Sequence, residues 1–176
     1  MLLLSILLGG IFFASVAMTI NEGLWGNSVL LMCIIFGGLF AILGGIPLGL
    51  FIIEQADADD EYAWYCVFAG VWVVFALSVT IMRILVDKAS KTRVKFVPPL
   101  EKISGPLMGL FVAVMFTSFV AYTMERIPVN AGQFPSSDAA DWQKTTFTYA
   151  RAPFHNVVKR FAESEGVRTD FFPKSR

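Results

Sequence analysis

Asp57, Asp59 and Glu61 alternate along the chain as the first three ligands of a calcium-binding loop would. Such a loop also needs glycine at its sixth position and glutamate at its twelfth, and here those places hold Tyr62 and Phe68. The acids therefore read as a solvated turn rather than a cation site. His155 is the sole histidine, so one chain offers neither a multi-histidine metal site nor a pair of histidine bases. Cys33 and Cys66 both lie in apolar runs and read as small buried hydrophobes, not as a disulfide. No Gly-rich phosphate loop, nucleophile elbow or CxxC occurs. The expectation is a protein that is not an enzyme and that holds no metal or cofactor.

The elements that would have to carry any site are more telling. Four stretches contain no charged side chain: Met1 to Asn21, Gly23 to Ile53, Tyr62 to Met82 and Ile103 to Met124. A helix of roughly 20 apolar residues crosses a hydrocarbon core of about 30 Å. With 56% of its residues hydrophobic and only 16% charged, the chain lacks the polar surface a water-soluble domain of its size requires. The fold class expected is all-α: a polytopic membrane protein with four transmembrane helices in residues 1–124, followed by a short extramembrane helical tail, 125–176. The first block lacks the basic flank of a secretory signal and is expected to remain as a helix. No Asp, Glu, Lys or His falls within the four stretches, which argues against a self-contained pump, an ion-coupled carrier or a haem-ligating subunit.

The loops set the orientation. Glu54 to Glu61 holds five acids and no base, whereas the next connection carries Arg83, Lys88, Lys91, Arg93, Lys95 and Lys102 against Asp87 and Glu101. Short loops rich in Lys and Arg stay in the cytoplasm, so the basic loop is inside, the acidic one outside, and both termini are extracytoplasmic. Tyr62 and Trp64 suit an aromatic belt at the outer interface, and Lys88, Lys91, Arg93 and Lys95 could attract anionic headgroups at the inner one.

Apolar burial does little to join helices whose solvent is itself apolar, so close backbone approach and dispersion must contribute instead. Gly37, Ala41, Gly45 and Gly49 recur at four-residue steps in the second stretch, as do Gly105, Gly109, Ala113, Thr117 and Ala121 in the fourth. Residues i and i+4 share a helix face, so these two helices are the candidates for the closest contact, with each other or with a partner. Pro47, beside Gly44 and Gly45, reads as a kink.

After Glu125 the composition turns polar. Residues 127–135 read as an extended linker, Ser137 as a helix cap, and Phe154, Val157, Val158 and Phe161 as the apolar face of a short helix following Pro153. Such a helix has no core of its own, and the expectation is that it rests on the outer membrane surface or docks on a partner.

The passage Glu101-Lys102-Ile-Ser-Gly105-Pro-Leu-Met-Gly109-Leu-Phe-Val-Ala113 resembles the colicin V production protein (CvpA-like) family, small four-helix proteins of the bacterial cytoplasmic membrane. In that family an Asp-Arg pair commonly precedes a last helix with glycine at four-residue steps. Glu101-Lys102 stands for the pair here, Gly105 and Gly109 match, and Val112-Ala113 replaces the Arg-Gly that often follows. Arg83 to Lys88 and Asp141-Trp142 also have similar counterparts. The resemblance implies a bacterial inner-membrane factor associated with toxin production or export and envelope maintenance. Its partners would be the lipid bilayer and other membrane proteins or further copies of itself, with no nucleic acid. The alternative is a small accessory subunit of a larger membrane assembly. A third reading is an oligomeric channel lined by hydroxyls and glycines of the second and fourth helices.

Overall fold

A computed structural model of the chain describes residues 2–56, 60–89, 98–125 and 140–165, all but the short connection at 20–23 and Ala140 in helices. In chain order these are α1 (Leu2–Thr19), α2 (Leu24–Ala56), α3 (Asp60–Ala89), α4 (Pro98–Glu125) and α5 (Asp141–Glu165). Three of them carry runs long and apolar enough to cross a bilayer: Leu24–Gln55, Tyr65–Ala89 and Ile103–Met124. The described apolar run of α1, Ser5–Thr19, is shorter.

Local chemistry accounts for several boundaries. Thr19 ends α1, and a tight turn follows in which the N–H of Glu22 donates to Thr19 O at 3.0 Å. Pro98 and Pro99 open α4, where the first-turn N–H groups have no helical acceptor and proline sacrifices nothing. At the start of α5 the carbonyl of Ala140 accepts from the N–H of Gln143 at 2.9 Å and of Lys144 at 3.2 Å, and Asp141 places an acid at the positive end of the helix dipole. Pro47, Pro106 and Pro153 lie inside α2, α4 and α5, and each helix continues through them.

The most extensive partner of α2 is α3, and α2 also packs on α4; α4 in turn packs on α1 and α5. The two interfaces of the middle helices differ in kind. α2 meets α3 backbone to backbone: a Cβ on Gly45 would lie 2.5 Å from Val71 Cα, and one on Gly49 2.5 Å from Val67 Cα. Gly70 answers from the α3 side, where a Cβ would lie 2.7 Å from the carbonyl oxygen of Gly45. The face read from the sequence as a contact for α4 is therefore taken up by α3. Gly70, the one glycine of α3, lets the two backbones close.

Between α3 and α4 aromatic rings fill the space instead. Phe75 stacks on Phe119 with centroids 4.2 Å apart and on Phe116 at 6.2 Å, while Trp72 tilts against Phe119 at 5.6 Å. Offset stacking and edge contacts of this kind add about 0.5–1.5 kcal/mol each beyond area burial, a term that does not depend on water as the solvent.

The outward faces carry a different set of residues. Met32, Phe36, Phe40 and Leu43 on α2, Val73, Leu77, Ile81 and Leu85 on α3, and Ile103, Leu107, Leu110 and Val114 on α4 are exposed. Steps of three and four residues put each set on one stripe of its helix. The exposed stripes are thus large and apolar, aliphatic and aromatic alike, while glycines and the Phe75, Phe119 and Phe154 rings lie at the helix contacts.

Candidate functional site

Because the sequence-derived site is a set of helix contacts, its geometry is best followed from one end of the bundle to the other. At the end where α1 turns into α2, Asn27 is fully buried. Its Nδ2 donates to Gly105 O at 2.9 Å, Thr19 O at 3.0 Å and Glu22 O at 3.2 Å. Three carbonyl acceptors around one amide nitrogen fix which way the amide points, and Oδ1 is left with no partner. Gly109 completes the arrangement: a Cβ there would lie 2.9 Å from Thr19 Oγ1 and 3.3 Å from Asn27 Nδ2. Thr19 Oγ1 bonds back to Ser15 O at 2.8 Å and reaches Gly109 O at 3.3 Å. Gly105 and Gly109 therefore press α4 onto the α1–α2 turn. Ala113, one step further along, is also fully buried.

The same end carries Arg83 of α3, whose guanidinium lies 3.7 Å from Glu22 Oε1, both side chains about half exposed. That separation is beyond hydrogen-bond range, and an exposed pair of this kind contributes at most about 1 kcal/mol. It does place the α1–α2 turn and the C-terminal part of α3 together. Lys88, in the last turn of α3, is exposed. Lys91, Arg93 and Lys95 lie outside the described residues, as do Asp57, Asp59 and the linker from 126 to 139.

Further along the bundle α5 packs on α4 and, less extensively, on α1 and α2. Phe154 is fully buried, its ring edge-on to Phe119 at 5.1 Å and to Tyr122 at 5.5 Å. On α2 a Cβ at Gly38 would come within 2.6 Å of that ring. Val158 is buried in the same core, and Val157 and Phe161 pack against it. The expectation of a tail lying on the membrane surface or on a partner gives way here to docking on the chain's own helices. The physical reason is that Gly38 leaves a hole in α2 that one aromatic ring of α5 fills. α5 is also longer than expected, running unbroken from Asp141 through Pro153.

Ser118 fastens that contact. Its hydroxyl donates to Arg151 O at 3.0 Å and accepts from the N–H of Phe154 at 2.8 Å. Both partners flank Pro153, whose missing N–H leaves the helical ladder one bond short at this turn, and one serine of α4 engages a carbonyl and an amide there. A second cluster joins Leu8 of α1, Val120 and Ala121 of α4, and Phe147 of α5.

Of the residues singled out from sequence, Gly37, Gly45 and Gly49 face α3, Ala41 is buried in the core of α2, and Gly105, Gly109 and Ala113 line the contact of α4 with α1 and α2. Asn27 and Gly70 carry no contact reading from the sequence, Gly38 reads only as widening the small-residue stripe of α2, and Ser118 reads only as one intramembrane hydroxyl among several. Asn27 is a lone amide at the edge of an apolar run, and that is a legible signal. Ser118 and Gly38 look like their many neighbours until α5 is in place. Among the described residues no three His, Cys, Asp or Glu side chains come together. Comparison of the chain with family models, curated proteins and solved structures yields no match.

Proposed function

We propose that this chain is a non-enzymatic, four-span protein of the bacterial cytoplasmic membrane, with both termini outside, acting through helix-mediated contacts in the manner of the CvpA-like proteins its fourth helix resembles. The observation that carries the reading is the stripe of large apolar side chains, aliphatic and aromatic, exposed along α2, α3 and α4, while the glycines of α2 and α3 face inward at backbone contacts. Lipid is the solvent that favours such a surface. For α1, 18 residues rise about 27 Å, close to the roughly 30 Å of a hydrocarbon core. The pairing of Glu22 with Arg83 supports a threading in which the α1–α2 turn and the basic loop share the cytoplasmic side.

Since the glycine faces of α2 and α4 are engaged within the chain, a partner in the membrane would meet the aliphatic outer stripes. It would also meet α5, where Trp142 and Tyr149 are exposed. That pair favours, as a second reading, a small accessory subunit of a larger assembly. Exposed aromatic residues of this type are enriched where protein surfaces meet.

Two measurements test the proposal together. Toxin release is expected to fall in colicin-V-producing bacteria lacking the chain and to recover with the wild-type protein. In mild detergent the chain is expected to travel with other membrane polypeptides in fixed ratio, or with itself, and to conduct nothing in liposomes. Normal toxin release together with ion flux from the purified chain would replace this reading with a channel.

A further inference from the structure

Among the described residues the packing leaves a cleft without a filling side chain. It lies between α1, α4 and α5, has a volume of about 260 Å³, and is partly open. Leu8, Phe12, Val114, Phe147, Ala150 and Pro153 make its walls predominantly apolar. Gly9 belongs to the same lining, and its environment is unlike that of the packing glycines. A Cβ on Gly45, Gly49, Gly70 or Gly109 would strike a neighbour, whereas no atom lies within 4 Å of a Cβ on Gly9. Glycine at this position serves no close helix contact. Its effect is to keep the cleft open at a cost in helix propensity of about 1 kcal/mol.

We propose that this cleft holds one acyl chain of a membrane phospholipid, an inference that rests on the membrane setting proposed above. Three observations single out that occupant. The cleft is smaller than the roughly 300–1,000 Å³ of sites for drug-sized ligands, and a helix about 10 Å across could not enter it. An unbranched chain can. On α1 the lining residues Ser5 and Phe12 are chain neighbours of the exposed Ile6 and Phe13, so the cleft adjoins an apolar outer surface. Polar groups that could meet a lipid's ester also line the cleft. They are Ser5 near the start of α1 and Gln143 and Thr146 in the first two turns of α5, with Gln143 only 8% exposed. Thr117, whose Oγ1 has no hydrogen-bond partner, stands on the same wall. Leaving an apolar space empty beside hydrocarbon would forfeit the dispersion contacts of its lining, and one chain drawn in from the bilayer restores them.

The test uses the full chain in nanodiscs of phosphatidylethanolamine and phosphatidylglycerol, doped with phosphatidylethanolamine bearing a diazirine on one acyl tail. After illumination, adducts are mapped by peptide mass spectrometry. In the wild type the label is expected to be enriched on α1 between Ser5 and Phe12 and on α5 between Gln143 and Pro153, relative to exposed stripe residues such as Phe40 and Leu77. Gly9→Leu is expected to abolish the cleft label and leave the stripe label intact. Val114→Phe, which closes the cleft from α4, serves as the second variant should the first fail to assemble. Stripe labelling without cleft enrichment, or cleft labelling that survives both substitutions, overturns the proposal alone. Absence of label from the stripes as well would overturn the membrane setting and the acyl-chain site with it.

Discussion

At Gly45 and Gly44, neighbours in sequence, an added methyl group meets opposite circumstances. On Gly45 it would drive into the backbone of Val71, which cannot step aside without moving all of α3; on Gly44 its nearest neighbour is Val74 Cγ1 at 3.6 Å, an ordinary contact. Gly45→Ala is therefore expected to destabilise the α2–α3 pair by about 1–3 kcal/mol, the usual cost of overpacking. Gly44→Ala should be neutral or slightly stabilising, because alanine is the better helix former by about 1 kcal/mol. Thermal unfolding of the detergent-solubilised chain compares the two directly, and equal effects would mean that the α2–α3 backbones are not in contact. Asn27 makes a similar case for a polar group. Asn27→Leu removes the donor shared by three carbonyls, and a loss of about 1–2 kcal/mol is expected from the worth of hydrogen bonds between membrane helices. The same melting experiment, read beside Ser28→Ala as a control whose hydroxyl bonds only to Leu24 O, checks it.

For whole elements, α5 shows how a helix with little apolar character of its own becomes part of a core. Its contact has two separable components: the Phe154 ring against Gly38, Phe119 and Tyr122, and the Ser118 hydroxyl bridging Arg151 O and Phe154 N–H. Removing a fully buried phenylalanine costs about 3–5 kcal/mol, while deleting the serine leaves a buried amide without its acceptor at about 1–3 kcal/mol. Phe154→Ala is accordingly expected to free α5 from the bundle and expose it to limited proteolysis. Ser118→Ala should leave α5 docked, with faster amide exchange confined to the turn around Pro153. Identical protease sensitivity of both variants and the wild type would show that α5 is held by something else. The helices themselves were legible in the sequence, since uncharged blocks of this length admit few other structures. Their pairing was not. Four-residue glycine spacing names a face but carries no information about which neighbour fills it. α3 could be seen as the partner only once Gly70, Val67 and Val71 were found opposite Gly45 and Gly49. The apolar face of α5 was equally visible, yet its destination depended on Gly38, one glycine among the several that crowd α2.

Taken as a whole, the molecule has one end marked by charge, where Glu22 faces Arg83 and Lys88 lies in the last turn of α3, while α5 packs further along the bundle at Gly38 and Ser118. In a version lacking Cys33 and Cys66, a single cysteine at Lys88 is expected to resist a membrane-impermeant maleimide in intact spheroplasts and to react after lysis. A cysteine at Glu163 is expected to react in both. The reverse pattern would invert the assignment of inside and outside. Composition by itself determined that lengthy uncharged helices dominate this chain and that its charges collect between and after them, because the absence of ionisable groups over such spans is a property of each residue taken alone. Only the tertiary structure decided that α3 rather than α4 closes on the glycine face of α2, that Asn27 knots three segments together, that α5 belongs to the core, and that Gly9 opens a cleft. Each of these depends on which surfaces meet. Two small-residue faces of equal spacing are interchangeable in one dimension, and they become distinct only when a backbone, a ring or an empty space lies opposite.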